Sequence, residues 1–141
     1  MSTKDNNPLK GPRNRFKFHL LIGRYTIVRL VPDAAVPEWA TKGEFTSMTR
    51  TGDELSIVCP INNLPANVPS PSRWICLKLD GPFPFSQTGV LGSFIEPLSS
   101  RGIPIFAIST YDTDYVLIQE EFEGQALGAL RAAGHELSTA D

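Results

Sequence analysis

Apolar and polar positions alternate through the first third of the chain and change to helical spacing in the last third. Phe16–Ile22 and Tyr25–Val31 alternate and are rich in aromatic and β-branched residues, so they predict two strands broken at Gly23. Pro32–Thr41 reads as a loop, with Pro37 at the first position of one helical turn carrying Glu38 and Trp39. Phe45–Arg50 and Glu54–Cys59 predict two more strands, and Thr51-Gly52-Asp53 supplies the turn that makes them a hairpin. Residues 62–72 hold Pro65, Pro69 and Pro71 and no apolar period, which marks an internal linker.

The second half is more regular. Arg73–Asp80 predicts a strand, and Gly81-Pro-Phe-Pro-Phe an extended loop, because a residue before proline is pushed away from helix. Thr88 is placed to cap a helix over Gly89–Ser100, with Val90, Leu91, Phe94, Ile95 and Leu98 as its apolar stripe, Pro97 as a kink and Gly102 as its stop. Ile103–Ser109 reads as a buried strand, Tyr111-Asp-Thr-Asp as a turn and Tyr115–Gln119 as a strand. Glu121–Ala133 is the clearest helix, acidic in its first turn and stopped by Gly134, and His135-Glu-Leu adds a short strand.

Residues 73–138 thus spell strand–helix–strand–strand–helix–strand, the ferredoxin-like order, with two helices on one face of a four-stranded antiparallel sheet. Residues 16–60 spell four strands and one helical turn, a reduced, helix-poor copy without a strict sequence repeat. The expected class is α+β. The expected plan is a disordered basic tail over 1–15, an N-terminal unit over 16–61, a Pro-rich linker over 62–72 and a C-terminal unit over 73–138.

Composition narrows the function. In 141 residues, 13 are Lys or Arg and 15 Asp or Glu, which gives no footprint for nucleic-acid binding. Charge is uneven: Lys4, Lys10, Arg13, Arg15 and Lys17 face only Asp5 at the start, which leaves 8 basic against 14 acidic residues in the remainder. Two cysteines, Cys59 and Cys76, make no disulfide framework, and two histidines, His19 and His135, leave little for metal or acid–base work. No apolar run approaches a membrane span, and the first one, Phe18–Ile22, is followed by Gly23 and Arg24 rather than a cleavage site. The expectation is a cytoplasmic protein with free thiols, no cofactor and no metal.

Three segments carry a resemblance. They are Phe45-Thr-Ser-Met-Thr-Arg-Thr-Gly-Asp-Glu-Leu-Ser-Ile-Val-Cys, then Gly81-Pro followed by Thr88-Gly-Val-Leu-Gly-Ser, and Gly102-Ile-Pro-Ile-Phe-Ala-Ile-Ser-Thr-Tyr-Asp-Thr-Asp-Tyr-Val-Leu-Ile. In this order the chain resembles small ACT-domain proteins related to the CASTOR arginine sensors and to the paired ACT domains of aspartate kinases. The resemblance implies two ACT domains, no catalytic domain, and regulatory binding of a small ligand, usually an amino acid.

Two stretches could hold that ligand. At Thr88, Gly89, Val90 and Leu91 a helix N-terminus offers free N–H groups, and glycine lets a carboxylate approach the backbone. On the residues alone, the better reading is that Gly89 serves a tight turn into the helix; the resemblance reverses this for Gly89 and Val90 and implies the ligand. In Ser109, Thr110, Tyr111, Asp112 and Asp114, the carboxylates could accept from an α-ammonium group, with Thr110 and Tyr111 as backbone and wall. The family spacing falls on Thr110, Tyr111 and Asp114, while the plain reading is a hairpin turn whose Asp and Thr cap their own backbone. No catalytic residue is assigned: there is no Gly-x-Ser-x-Gly and no His beside Ser109. The rival readings are a ligand-free interaction module and a small enzyme using Asp112 and Asp114. A homodimer is expected, because Phe18, Leu20, Ile27, Val28, Met48 and Ile57 need cover that one helical turn cannot give.

Overall fold

The strands and helices follow in the order β1 (Lys17–Leu20), β2 (Tyr25–Leu30), β3 (Ser47–Arg50), β4 (Leu55–Pro60), β5 (Trp74–Leu79), α1 (Val90–Ser99), β6 (Phe106–Ser109), β7 (Asp114–Gln119), α2 (Glu123–Ala132) and β8 (Glu136–Leu137). The structure is a computed structural model that describes residues 15–69, 72–84 and 86–138. The expected basic tail, Arg15 apart, lies outside the described residues. No helix among them is long and apolar enough to cross a membrane. The described residues form two compact units, Leu21–Cys76 and a second that joins those up to Leu20 to those from Leu77 onward.

In the Leu21–Cys76 unit, β4 pairs antiparallel with both β3 and β2. Strand alternation puts Leu55, Ile57 and Cys59 on one face of β4, where they bury with Val28 and Ala40. Ala40 comes from the single helical turn Glu38–Ala40. Leu30, Ala34, Trp39 and Leu64 pack against this cluster. Leu64, placed in the linker by sequence, therefore belongs to the core, and the first linker residues form a 3-10 turn over Ile61–Asn63. Val28 and Ile57 need no second chain to cover them: their own loops bury them. Met48 remains 41% exposed.

In the other unit, the sequence reading places β1 with β2–β4, but β1 pairs elsewhere. Phe18, His19 and Leu20 lie antiparallel to Leu79, Lys78 and Leu77 of β5, while Lys17 and Phe18 run parallel to Glu136 and Leu137 of β8. β7 pairs with β5, and β6 with β7. The expected four-stranded ferredoxin-like sheet therefore has a fifth strand between its first and last. In this position Phe18 is buried, its ring edge-on against Phe94 of α1, 5.2 Å between centroids. α1 buries Val90, Phe94 and Leu98, α2 buries Ala126, Ala129 and Leu130, and the two helices touch.

Gly89, not Thr88, occupies the capping position of α1: its φ is 77°, a left-handed value that glycine takes without a Cβ penalty, and no side chain caps the helix. Pro97 lies inside α1 without ending it. A proline has no N–H, so the carbonyl four residues earlier, that of Ser93, loses its helical donor. His135 replaces it. Phe16 donates its backbone N–H to His135 Nδ1 at 3.1 Å, so the ring proton sits on Nε2, which faces the Ser93 carbonyl at 3.3 Å. The imidazole is 4% exposed, stacked on Phe16 and tilted against Phe94. Burial pushes its pKa down, with the Ser93 bond opposing the shift.

Below the ordinary imidazole value of about 6.5, the unfolded chain takes up a proton that buried His135 resists, so stability falls as the pH drops through that range. Urea denaturation at pH 7.5 and at lower pH should show this loss. His135→Gln should remove its part of the pH dependence and cost about 1–3 kcal/mol at pH 7.5, from two half-buried hydrogen-bond groups that lose the imidazole. In a Pro97→Ala background the helix supplies its own donor to Ser93, so the same substitution should cost less, a coupling that a double-mutant cycle measures.

Candidate functional site

Thr110–Asp114 closes the hairpin between β6 and β7, whose last register pair is Ser109 with Asp114. The Thr110 N–H donates to the Thr113 carbonyl at 2.8 Å, and the Thr110 hydroxyl faces both the Thr113 carbonyl (3.1 Å) and its N–H (3.3 Å). The Ser109 hydroxyl donates to Asp114 Oδ1. These bonds are the self-capping expected of Asp and Thr in a turn.

Two further bonds fasten the turn to the rest of its unit. Buried Thr113 donates its hydroxyl to the carbonyl of Leu79, the last residue of β5, at 2.8 Å. Phe83 donates its N–H to the Asp112 carbonyl at 2.9 Å. Between these points the chain passes close enough that a Cβ on Gly81 would lie 2.8 Å from the Asp112 carbonyl oxygen and 3.1 Å from Thr113 Cβ. Glycine is required there for room, whereas at Gly89 it is required for conformation.

The turn, the 83–84 segment and the start of α1 border an open cavity of about 190 Å3, lined by Phe83, Pro84, Gln87, Val90 and each residue from Ser109 to Asp114. Six residues named from sequence meet here: Val90, Ser109, Thr110, Tyr111, Asp112 and Asp114. Thr88 and Gly89 are exposed and Leu91 is half-buried, and none of the three is on the lining. Sequence reasoning missed Phe83, Pro84, Gln87 and Thr113. The X-Pro spacing of 81–84 gave an extended segment but no destination for it; Thr113, a β-branched residue between two aspartates, carried the only hint of burial.

Two carboxylates, Asp112 and Asp114, line the cavity, with no Lys, Arg or His on its lining among the described residues. The positive end of the α1 dipole supplies the opposite sign at Val90. That pairing suits a small ligand with an ammonium group and a carboxylate.

Other chemistry is weaker. His19 Nδ1 lies 2.5 Å from Asp80 Oδ1, and the Ser138 hydroxyl donates to Asp80 Oδ2 at 3.1 Å. The acid thus stands between hydroxyl and imidazole, whereas an activated serine needs its hydroxyl on the imidazole. Burial raises the Cys59 thiol to about 11 and the Cys76 thiol further, with Glu44 adding to the latter, so both stay protonated. Among the described residues no group of three His, Cys, Asp or Glu could hold a metal ion.

Thr113→Val keeps the shape and deletes the bond to β5. It should lower stability by about 1–3 kcal/mol in urea denaturation, while Thr110→Ser, which keeps its hydroxyl, should cost less than half as much.

Comparison with known proteins places this geometry in a family. The ACT domain matches residues 69–132, and residues 23–67 match a separate family described as an N-terminal domain. The crystal structure of protein Atu0741 from Agobacterium tumefaciens is similar at 44% identity with a TM-score of 0.83, covering 90% of this chain and 95% of that one. VC0802 from Vibrio cholerae, titled a protein of unknown function and possible transport protein, shares the fold at 20% identity and a TM-score of 0.67, over 86% of this chain and 88% of that one. The chain carries an ACT domain over residues 69–132 and belongs to the same protein family as Atu0741.

Proposed function

We propose that the protein is a non-catalytic regulatory module that binds a free amino acid at the Thr110–Asp114 turn. The observation that carries this reading is the single cavity shared by Val90, at the N-terminus of α1, and the two-carboxylate turn. The ligand carboxylate would sit toward the uncapped first turn of α1, including Gly89, and its ammonium group toward Asp114. Ser109 occupies Oδ1 of Asp114, which orients the carboxylate and leaves Oδ2 to accept from the ligand. The resemblance to CASTOR sensors and aspartate-kinase ACT pairs supports the regulatory role. Buried, protonated thiols fit work in a reducing cytoplasm.

Binding in such a module acts through assembly, and we propose a homodimer. Among the described residues, β3 pairs with β4 alone and β6 with β7 alone, which leaves an edge on each for a second copy.

A thermal-shift panel of the twenty amino acids tests the reading, since a ligand bound only by the native state raises the melting temperature. At least one should raise it, and Asp114→Asn should weaken that ligand by about tenfold, more than Asp112→Asn. Equal affinity of wild type and Asp114→Asn contradicts the assignment of Asp114. For the dimer, light scattering across a dilution series should give twice the chain mass of 15.5 kDa; a constant monomer mass, with and without ligand, contradicts it.

A further inference from the structure

A second cavity, of about 300 Å3, adjoins the first and is lined by Pro82, Phe83, Pro84, Tyr111 and Asp112. Four of these, Phe83, Pro84, Tyr111 and Asp112, line both, so the two spaces form one trough. Its inner end holds Val90, Ser109 and Asp114. Its outer end lies between the 82–84 segment and Tyr111 and is walled by two aromatic rings and two pyrrolidine rings.

The outer walls differ in exposure, Phe83 being half-buried and Tyr111 exposed. Phe83 is fixed at its backbone by the 2.9 Å bond to Asp112, and its ring packs edge-on against Phe16, 5.7 Å between centroids at 88°. It is a rigid wall. Tyr111 is 79% exposed and presents a large apolar face for a ligand to cover. The charges sort side chains further. With two carboxylates and no cation among the described lining residues, the trough disfavours an acidic side chain. Asp112 is exposed, so a basic side chain paired with it would remain in water, where such pairs contribute little. Apolar surface covered by the ring walls carries no such discount.

We infer that the outer trough receives the side chain of the bound amino acid and selects a large neutral one, aromatic or branched aliphatic, over small and charged ones. Phe83 and Tyr111 set this selectivity. The inference rests on the reading of the inner trough as an amino-acid site.

Calorimetric titration of the full chain separates the two. Phenylalanine, leucine and isoleucine are compared with glycine, alanine, aspartate, glutamate, lysine and arginine, on the wild type, Tyr111→Ala and Phe83→Leu. The large neutral group should bind about tenfold more tightly than the small and charged groups. Tyr111→Ala, on an exposed turn, should weaken that group by about fivefold and leave alanine within about twofold. Phe83→Leu keeps a wall and should shift preference from phenylalanine toward leucine. Tighter binding of a basic, acidic or small amino acid, or a Tyr111→Ala protein with unchanged preferences, overturns the selectivity and leaves the site standing. No binding of any amino acid at millimolar concentration overturns both.

Discussion

One buried imidazole joins three elements of the unit that carries the ACT domain. His135 takes an N–H from Phe16, just before β1, and faces the Ser93 carbonyl that Pro97 leaves without a donor in α1. It therefore ties the inserted strand, the first helix and the short last strand at a point where the helix alone would have an unsatisfied carbonyl. Its ring stacks on Phe16, and Phe16 in turn packs edge-on against Phe83. The contact that makes a proline tolerable in α1 is thus continuous with the one that fixes a wall of the candidate site.

The site itself is built by fastening a flexible element to rigid ones. A four-bond turn between β6 and β7 has a defined shape but no defined position. Thr113 supplies the position by bonding to the end of β5, and Phe83 adds a second point through Asp112. Gly81 permits the approach. None of these three residues needs to touch a ligand to decide where Asp112, Asp114 and Tyr111 stand, which is how a turn made of common turn residues becomes a recognition surface.

The order of elements was legible because it depends on local pattern: alternation in β2 and β4, helical spacing in 90–98, and acids at the start of α2. The partner of β1 was not, because pairing Phe18 with Leu79 and Leu137 joins residues about 60 and 120 positions apart and leaves no local trace. The same limit applies at the site. Val90, Ser109, Thr110, Tyr111, Asp112 and Asp114 could be named from composition and resemblance. Phe83 and Thr113 could not, since their roles arise from where β5 ends. His135 read as an ordinary strand residue because its partners, Phe16 and Ser93, lie far away in sequence. Thr88 looked like a cap, but a glycine able to adopt positive φ displaced it by one position.

The central claim is that a ligand engages the α1 start and the Thr110–Asp114 turn together. It is tested most directly by titrating an amino acid found to bind into isotope-labelled protein and following backbone amide resonances. The account predicts that the largest shifts cluster at Phe83, at Gly89–Leu91 and at Ser109–Asp114, with Lys42 and Asn63 in the other unit unmoved. Saturable shifts confined to other residues, or to only one of the two segments, would contradict it.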